Sequence, residues 1–109
     1  KKDNSSRLNR LNELSGYVAE IYFTVSGGVL TTQASDSCSI TRTQAGVYQV
    51  TFTTTMPDTQ YRVEPSLESG ATPIVYGHSG KSTASFNVTS RDFAGTATDC
   101  VSGSIKVFR

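Results

Sequence analysis

The sequence predicts an all-β chain, a small antiparallel β-sandwich that is jelly-roll-like and preceded by a short N-terminal helix. Three observations predict this class. The chain has 109 residues, the size of about one domain with one modest core. Serine and threonine account for 30 of these residues, while aromatic and β-branched residues form short runs separated by Gly, Asp and Asn. Such runs favour strands, and a helical pattern occurs only near the N-terminus.

The N-terminal segment SRLNRLNELSGYVAEI is predicted to form an amphipathic helix. Its apolar residues recur at spacings of three and four, the stripe of a helix, and they are Leu8, Leu11, Leu14, Val18 and Ile21. The last four also fit alternating a and d positions of a heptad. We therefore predict that residues 1–21 are a helical stem, the end of a longer coiled coil that leads into a parallel homotrimer. A helix folded back onto its own β-domain is the alternative.

Residues 22–109 are predicted to be the β-sandwich domain. Tyr48, Val50 and Phe52 alternate with polar residues, so one face of their strand packs and the other meets water. Gly27-Gly28 and Gly46 can supply the positive φ of hairpin turns, which predicts antiparallel pairing of neighbouring strands. The predicted strands are 21–26, 29–32, 38–43, 47–55, 61–67, 74–78, 85–90 and 102–108.

Charge and composition exclude several classes of partner. Ten basic and nine acidic residues are scattered along the chain and give a net charge of +1. This balance offers no field that would attract phosphate backbones or an anionic membrane. No apolar run approaches the roughly 20 residues that span a bilayer, and nothing resembles a signal peptide. We expect no nucleic-acid partner and no membrane insertion. Because the chain starts at Lys1 inside a helical pattern, we expect it to be a piece of a longer protein.

Candidate catalytic groups are few. His78 is the only histidine, and no carboxylate near it in the sequence would orient it as a base. A surface or loop histidine is the favoured interpretation, and a metal held by three copies on a trimer axis is a weaker one. We expect no metal and no cofactor.

Six acidic residues could contain the carboxylate pair of a glycoside hydrolase, namely Asp36, Asp58, Glu64, Glu68, Asp92 and Asp99. Asp58 follows Pro57 and is better explained as a turn residue. Asp92 and Asp99 flank the turn at Gly95 and are predicted to hydrogen-bond the local backbone. The chain is therefore predicted not to be an enzyme, with a small glycan hydrolase as the alternative.

The two cysteines, Cys38 and Cys100, precede the third and the last predicted strands. Their spacing leaves the geometry of a disulfide undecided. Two buried free thiols, acting as small apolar residues, are favoured over a bridge.

One stretch resembles a known family. The segment from Gly46 to Tyr61 reads G-x-Y-x-V-x-F-T-x-x-M-P-D-x-x-Y and is similar to the C-terminal domain of bacteriophage tail fibre and tail receptor-binding proteins. The likeness extends to strand 21–25 and to the closing segment FNVTSRDFAGTATDCVSGSIKVFR, and so covers most of residues 21–109. Residues 64–82 and both cysteines lie outside the pattern.

The resemblance implies a non-enzymatic virion protein, the distal domain of a phage tail fibre, assembled in the host cytoplasm. Such a domain would form a homotrimer and attach the virion to a bacterial surface glycan or outer-surface protein, with avidity from three sites. The segment least like the family, residues 68–82, supplies candidate receptor-binding residues Tyr76, His78 and Lys81. Alternation places Ile74, Tyr76 and His78 on one side of their predicted strand, so packing of Tyr76 between subunits and contact with a ligand are equally compatible with the sequence. A purely structural trimerisation cap or decoration knob is the main alternative function.

Overall fold

The computed structural model describes residues 17–70 and 72–109, and these form eight strands. Every predicted strand is present, and the largest shifts are at the start of β1 and the ends of β2 and β4. None of the described residues forms a helix that is long and apolar enough to cross a bilayer. The strands are β1 (Tyr17–Ser26), β2 (Val29–Asp36), β3 (Cys38–Gln44), β4 (Val47–Phe52), β5 (Arg62–Glu68), β6 (Ile74–Ser79), β7 (Ser85–Asp92) and β8 (Ser102–Phe108).

The strands form two four-stranded sheets, here called sheet A and sheet B. Sheet A has the order β2-β1-β8-β5 and sheet B the order β3-β4-β7-β6, and all neighbouring strands are antiparallel. Alternate side chains of both sheets meet in a single apolar core. The predictions of an all-β fold and of two packed antiparallel sheets are confirmed.

The strand order departs from a jelly roll. In a jelly roll the chain wraps as one long antiparallel ribbon, so that the first strand pairs with the last and the second with the second-last. Here β1 does pair with β8, but in the described part of the chain β2 pairs only with β1, and β7 lies in the other sheet. The short glycine turn between β1 and β2 keeps both strands in one sheet as a hairpin, which explains the difference.

The predicted helix is wrong for residues 17–21, because β1 begins at Tyr17. Val18 and Ile21, assigned to the stem, therefore lie in the sandwich, and the domain starts before residue 22. Ala19, Ile21 and Phe23 are buried at a spacing of two, and pairing of β1 with two neighbours outweighs the helical spacing. The remaining stem residues Leu8, Leu11 and Leu14 lie outside the described residues, so the coiled coil stays a prediction.

The sandwich has two distinct ends. The end that holds Tyr17, the β4–β5 connection and Arg109 is called the base, and the opposite end, with the β1–β2 and β3–β4 turns, is called the tip. At the tip, Gly27 and Gly28 have φ values of 58° and 78°, which confirms the predicted two-residue hairpin. Gly46 has a φ of 71°, and a Cβ there would collide with the backbone of Ser90. Both turns thus require glycine.

The family-like signature builds the base. Phe52 packs edge-on against Tyr61 with ring centroids 5.1 Å apart, and both rings contact Phe86. Met56, between them in sequence, is half-buried against the same core. The Tyr61 hydroxyl donates to the carbonyl oxygen of Ser82 at 2.8 Å. The residues of the motif in this stretch therefore hold the fold together at the end where the chain enters it.

Candidate functional site

Strand β6 carries two of the three candidate receptor-binding residues. It forms one edge of sheet B, and Tyr76 and His78 pair with Ser90 and Val88 of β7. Since both partners point into the sandwich, Tyr76 and His78 lie on the inner side of the sheet, as the predicted alternation requires. Both are nevertheless exposed, with 43% of Tyr76 accessible. Because β6 is at the edge of sheet B, both side chains are exposed to solvent although they lie on the inner side of the sheet.

Lys81, the third candidate, lies away from Tyr76, toward the base. Its ammonium donates to the Tyr61 carbonyl oxygen at 2.8 Å and stands 5.0 Å from the centroid of the Tyr61 ring. A cation over an aromatic face with a carbonyl acceptor is a stabilising arrangement in its own right. Its contacts give Lys81 a structural role that the sequence did not indicate.

Four exposed apolar side chains lie in segments at the tip. Val29 follows the β1–β2 turn, Val75 is near the start of β6, and Phe93 and Val101 lie in the connection after β7. The accessible fraction is 64% for Val29 and 75% for Phe93. Exposed apolar groups at one end of a domain are typical of contact surfaces. The tip is therefore a candidate binding surface, together with Tyr76 and His78 beside it.

Phe93 is held on a tightly bonded loop. The Asp92 carboxylate accepts from the backbone N–H groups of Ala94 and Thr96, at 3.0 and 2.9 Å. The Arg91 guanidinium donates to the Gly95 carbonyl oxygen at 3.2 Å. An aromatic ring on a preorganised loop loses little entropy when it binds. The prediction that Asp92 bonds the local backbone is confirmed, but sequence reasoning missed Phe93, whose signal was an aromatic residue inside a polar glycine turn.

Asp99 forms the main polar contact inside the tip. It accepts from the guanidinium of Arg42 at 2.8 and 3.1 Å, from the Gly46 N–H at 2.9 Å and from the Tyr48 hydroxyl at 2.9 Å. The predicted bonds to local backbone are wrong for Asp99, because its partners lie more than 50 residues away in sequence. Burial opposes ionisation of this carboxyl, but the three donors outweigh it, so its pKa lies below the usual value.

Asp58, another of the six acidic residues, forms an ion pair at the base. The Asp58 carboxylate accepts from the Arg109 guanidinium at 2.6 Å and from the backbone N–H of Gln60, which confirms its turn role, and Arg109 lowers its pKa. A glycosidase acid needs a raised pKa, whereas the shifts at Asp58 and Asp99 are downward. Within residues 17–70 and 72–109, no three His, Cys, Asp or Glu side chains are grouped to hold a metal.

Both cysteines are buried and free, which confirms the favoured interpretation. Burial raises the pKa of the Cys38 thiol to about 11 and also raises that of Cys100. The Cys38 Sγ donates to the Glu20 carbonyl oxygen at 3.5 Å, and the Cys100 Sγ lies 3.6 Å from the Tyr48 hydroxyl. Such protonated, shielded thiols act as small core residues rather than nucleophiles.

Two shallow clefts open on the surface. One, of about 470 Å³, is at the base and is lined by Val18, Ser37, Phe52 and residues 53–56. The other, of about 190 Å³, is lined by Glu20, Tyr22 and residues 34–36 beside the edge strand β2. Neither of these two clefts contains the candidate residues of β6 or of the tip.

Comparisons of this chain with protein-family models, with curated proteins and with solved structures find no match.

Proposed function

We propose that this chain is the distal domain of a bacteriophage tail fibre, a non-enzymatic homotrimer of the virion that attaches to a bacterial surface glycan or outer-surface protein. A helical stem formed by residues before β1 would lead into three sandwiches. The sequence signature in residues 46–61 supports the family assignment, and the arrangement of the two ends of the sandwich supports the function.

One observation carries the proposal. The described chain enters the sandwich at Tyr17 and ends at Arg109, and both lie at the base. The exposed apolar side chains, above all Phe93 on its bonded loop, lie at the opposite end. A stem attached before Tyr17 would therefore direct the tip away from the fibre, toward a surface. This polarity is what an attachment domain needs and what a domain buried within a shaft does not.

Two of the described carboxylates, Asp58 and Asp99, are poor candidates for the acid of a glycosidase. Asp58 and Asp99 both engage arginines and have lowered pKa values, so neither is suited to donate a proton to a leaving group. Burial of both thiols likewise disfavours a cysteine nucleophile. Attachment at the tip requires none of these groups, which supports a non-enzymatic role.

The test compares the binding of the unsubstituted chain and of the Phe93→Ser variant to bacterial envelopes. Phe93 is 75% exposed, so its removal should change the free energy of unfolding by less than about 0.5 kcal/mol. Loss of a preorganised aromatic anchor should weaken envelope binding at least tenfold, as interface anchors do. Binding is measured by sedimenting labelled protein with envelopes from a panel of bacterial strains.

The matched control is Tyr22→Ser, since Tyr22 is also an exposed aromatic residue, 43% accessible, but lies on the outer face of sheet A away from the tip. Its envelope binding should equal that of the unsubstituted chain. Binding unaffected by Phe93→Ser would contradict a receptor-binding tip. A trimer that binds no envelope in the panel would favour the structural cap, and release of reducing sugars from envelopes would identify the hydrolase.

A further inference from the structure

The outer faces of the two sheets differ in charge. On sheet A, the outward positions of all four strands carry ionisable side chains, two pairs of which form ion pairs. Glu20 lies 4.0 Å from Lys106, and Arg62 lies 2.7 Å from Glu64. The ionisable residues on this face are Glu20, Asp36, Arg62, Glu64, Glu68 and Lys106. Covering this face would remove those charges from water at a large cost.

The outer face of sheet B is almost uncharged. Its central strands present Gln49 and Thr51 on β4, and Asn87 and Thr89 on β7, in directly opposed positions. The single charged group among its described outward positions is Arg91, which already donates to the Gly95 carbonyl oxygen. Within the described residues, no hydrogen bond engages the side-chain amides of Gln49 and Asn87. This face therefore carries little charge and is rich in groups that can hydrogen-bond a partner.

Gly77 is a second, independent sign of a partner. It lies in β6 on the same face, opposite Thr89. Its φ is not in the left-handed region, and a Cβ built there would meet no atom within 4 Å. Glycine weakens a strand, and it is retained where a turn, a bulge or a close backbone approach requires it. The described subunit therefore gives no steric reason for glycine at position 77 and leaves room there for a neighbouring backbone.

Strand β6 also lacks the devices that protect the other sheet edges. Among the other edge strands, β5 contains Pro65 and charged residues. Strand β2 ends at Asp36 and has an irregular register with β1. Strand β3 carries Arg42 next to a shift in its register with β4. In contrast, β6 has no Asp, Glu, Lys, Arg or Pro, and its register with β7 is regular. An edge without such protection is open to a neighbouring chain.

We infer that the outer face of sheet B, together with the β6 edge, is the surface on which copies of this chain pack against one another. Tyr76 and His78 on that edge then lie at the contact between subunits, and receptor binding is left to the tip. The inference rests on the proposed homotrimer and names the surface that would form it. A second and a third copy are the partners that fit, because three such faces arranged around a threefold axis bring together amides and hydroxyls with almost no charge to desolvate. Gly77 then admits the backbone of the neighbouring subunit.

The first experiment replaces Gly77 by valine in the full chain. Valine is a good strand residue with open space around it here, so the subunit should keep its β-sheet circular dichroism. A side chain that blocks close approach should raise the concentration of half-dissociation at least tenfold, measured by light scattering over a dilution series. The matched control is Ser66→Val, on the edge strand of sheet A and facing outward, which should dissociate like the unsubstituted chain.

The second experiment measures how accessible each outer face is to a thiol reagent. It gives a clear result even if the helical stem alone holds the trimer together. Asn87→Cys and Ser104→Cys place a thiol at the centre of each outer face. The native thiols Cys38 and Cys100 are buried and react slowly. In the trimer, iodoacetamide should label Asn87→Cys at least tenfold more slowly than Ser104→Cys.

The outcomes separate this inference from the proposed function. Protection of Asn87→Cys together with weakened association of Gly77→Val supports the inference. Equal labelling of the two introduced cysteines in a chain of trimeric mass overturns it but leaves the homotrimer in place, and then the neutral face is open for a ligand. A monomer at every concentration overturns both.

Discussion

The base and the tip of the sandwich are closed by different forces. At the base, three aromatic rings of Phe52, Tyr61 and Phe86 pack together, and hydrogen bonds to backbone carbonyls complete the contact. At the tip, the carboxylate of Asp99 joins Arg42 to the β3–β4 turn and to the Tyr48 hydroxyl. Three aromatic rings thus pack together at the base, whereas an ion pair and its hydrogen bonds join the elements of the tip.

This difference leaves each end suited to a different task. Packing at the base places its large apolar groups inside, where the chain enters and leaves the fold. At the tip, by contrast, Val29 and Phe93 remain exposed to water. A domain that is anchored at one end and makes contacts at the other requires this separation.

The largest expected effect is at the base. Tyr61→Ala removes a ring that is 2% exposed, together with its contacts to Phe52 and Phe86. We expect the free energy of unfolding to fall by about 4 kcal/mol, because a large cavity remains in the core. Urea denaturation followed by circular dichroism measures this loss. The matched variant Tyr22→Ala, at an exposed ring, should lose less than about 1 kcal/mol. Equal losses would contradict a packed base.

A smaller effect, with a pH signature, is expected at the tip. Asp99→Asn keeps the shape of the side chain but removes the charge that Arg42 and Tyr48 face. The loss should be about 2 kcal/mol at neutral pH, since those donors lose a charged acceptor. The urea midpoint measures it. The matched variant Glu64→Gln breaks an exposed ion pair and should have little effect.

The pH dependence follows from the lowered pKa of Asp99 in the folded chain. A group with a lower pKa when folded contributes stability above its unfolded pKa of about 3.9, and this contribution is lost as pH falls through the folded pKa. The unsubstituted chain should therefore lose more stability than Asp99→Asn between about pH 5 and pH 3. Identical acid profiles of the two chains would show that Asp99 does not carry this dependence.

The smallest effect is expected from Asp58→Asn at the base. The ion pair with Arg109 is exposed on both sides, at 40% and 39%, and water and salt screen such pairs. Asparagine can still accept from the Gln60 N–H and keep the turn. We expect a slight fall in the urea midpoint that disappears in about 1 M salt. A loss as large as that of Tyr61→Ala would mean that the ion pair, and not the aromatic packing, closes the base.

Much of the fold could be predicted from local pattern. The alternation of Tyr48, Val50 and Phe52 indicated a buried face, and all three are buried. Gly27-Gly28 indicated a hairpin, and the eight strands followed from runs of strand-forming residues between such turns. The shared face of Tyr76 and His78 was predicted as well. Each of these features depends on residues close together in the chain, so the sequence carries its signal directly.

The rest depended on contacts between distant residues. Local spacing predicted a helix over residues 17–21, and pairing of β1 with β2 and β8 makes this segment a strand instead. The partner of Asp99 is Arg42, which no local pattern indicates. The contact of Lys81 with Tyr61 is of the same kind.

The sequence by itself therefore determined the class of fold, the eight strands, the glycine turns and the alternation of buried and exposed residues, because these arise from short-range sterics and from the period of the backbone. The tertiary structure alone decided the order of the strands, the partners of Asp99 and Lys81, the exposure of Phe93 at the tip and the contrast between a charged and a neutral outer face. These properties are set by which strands lie side by side, and that is a competition among long-range contacts that no single segment encodes.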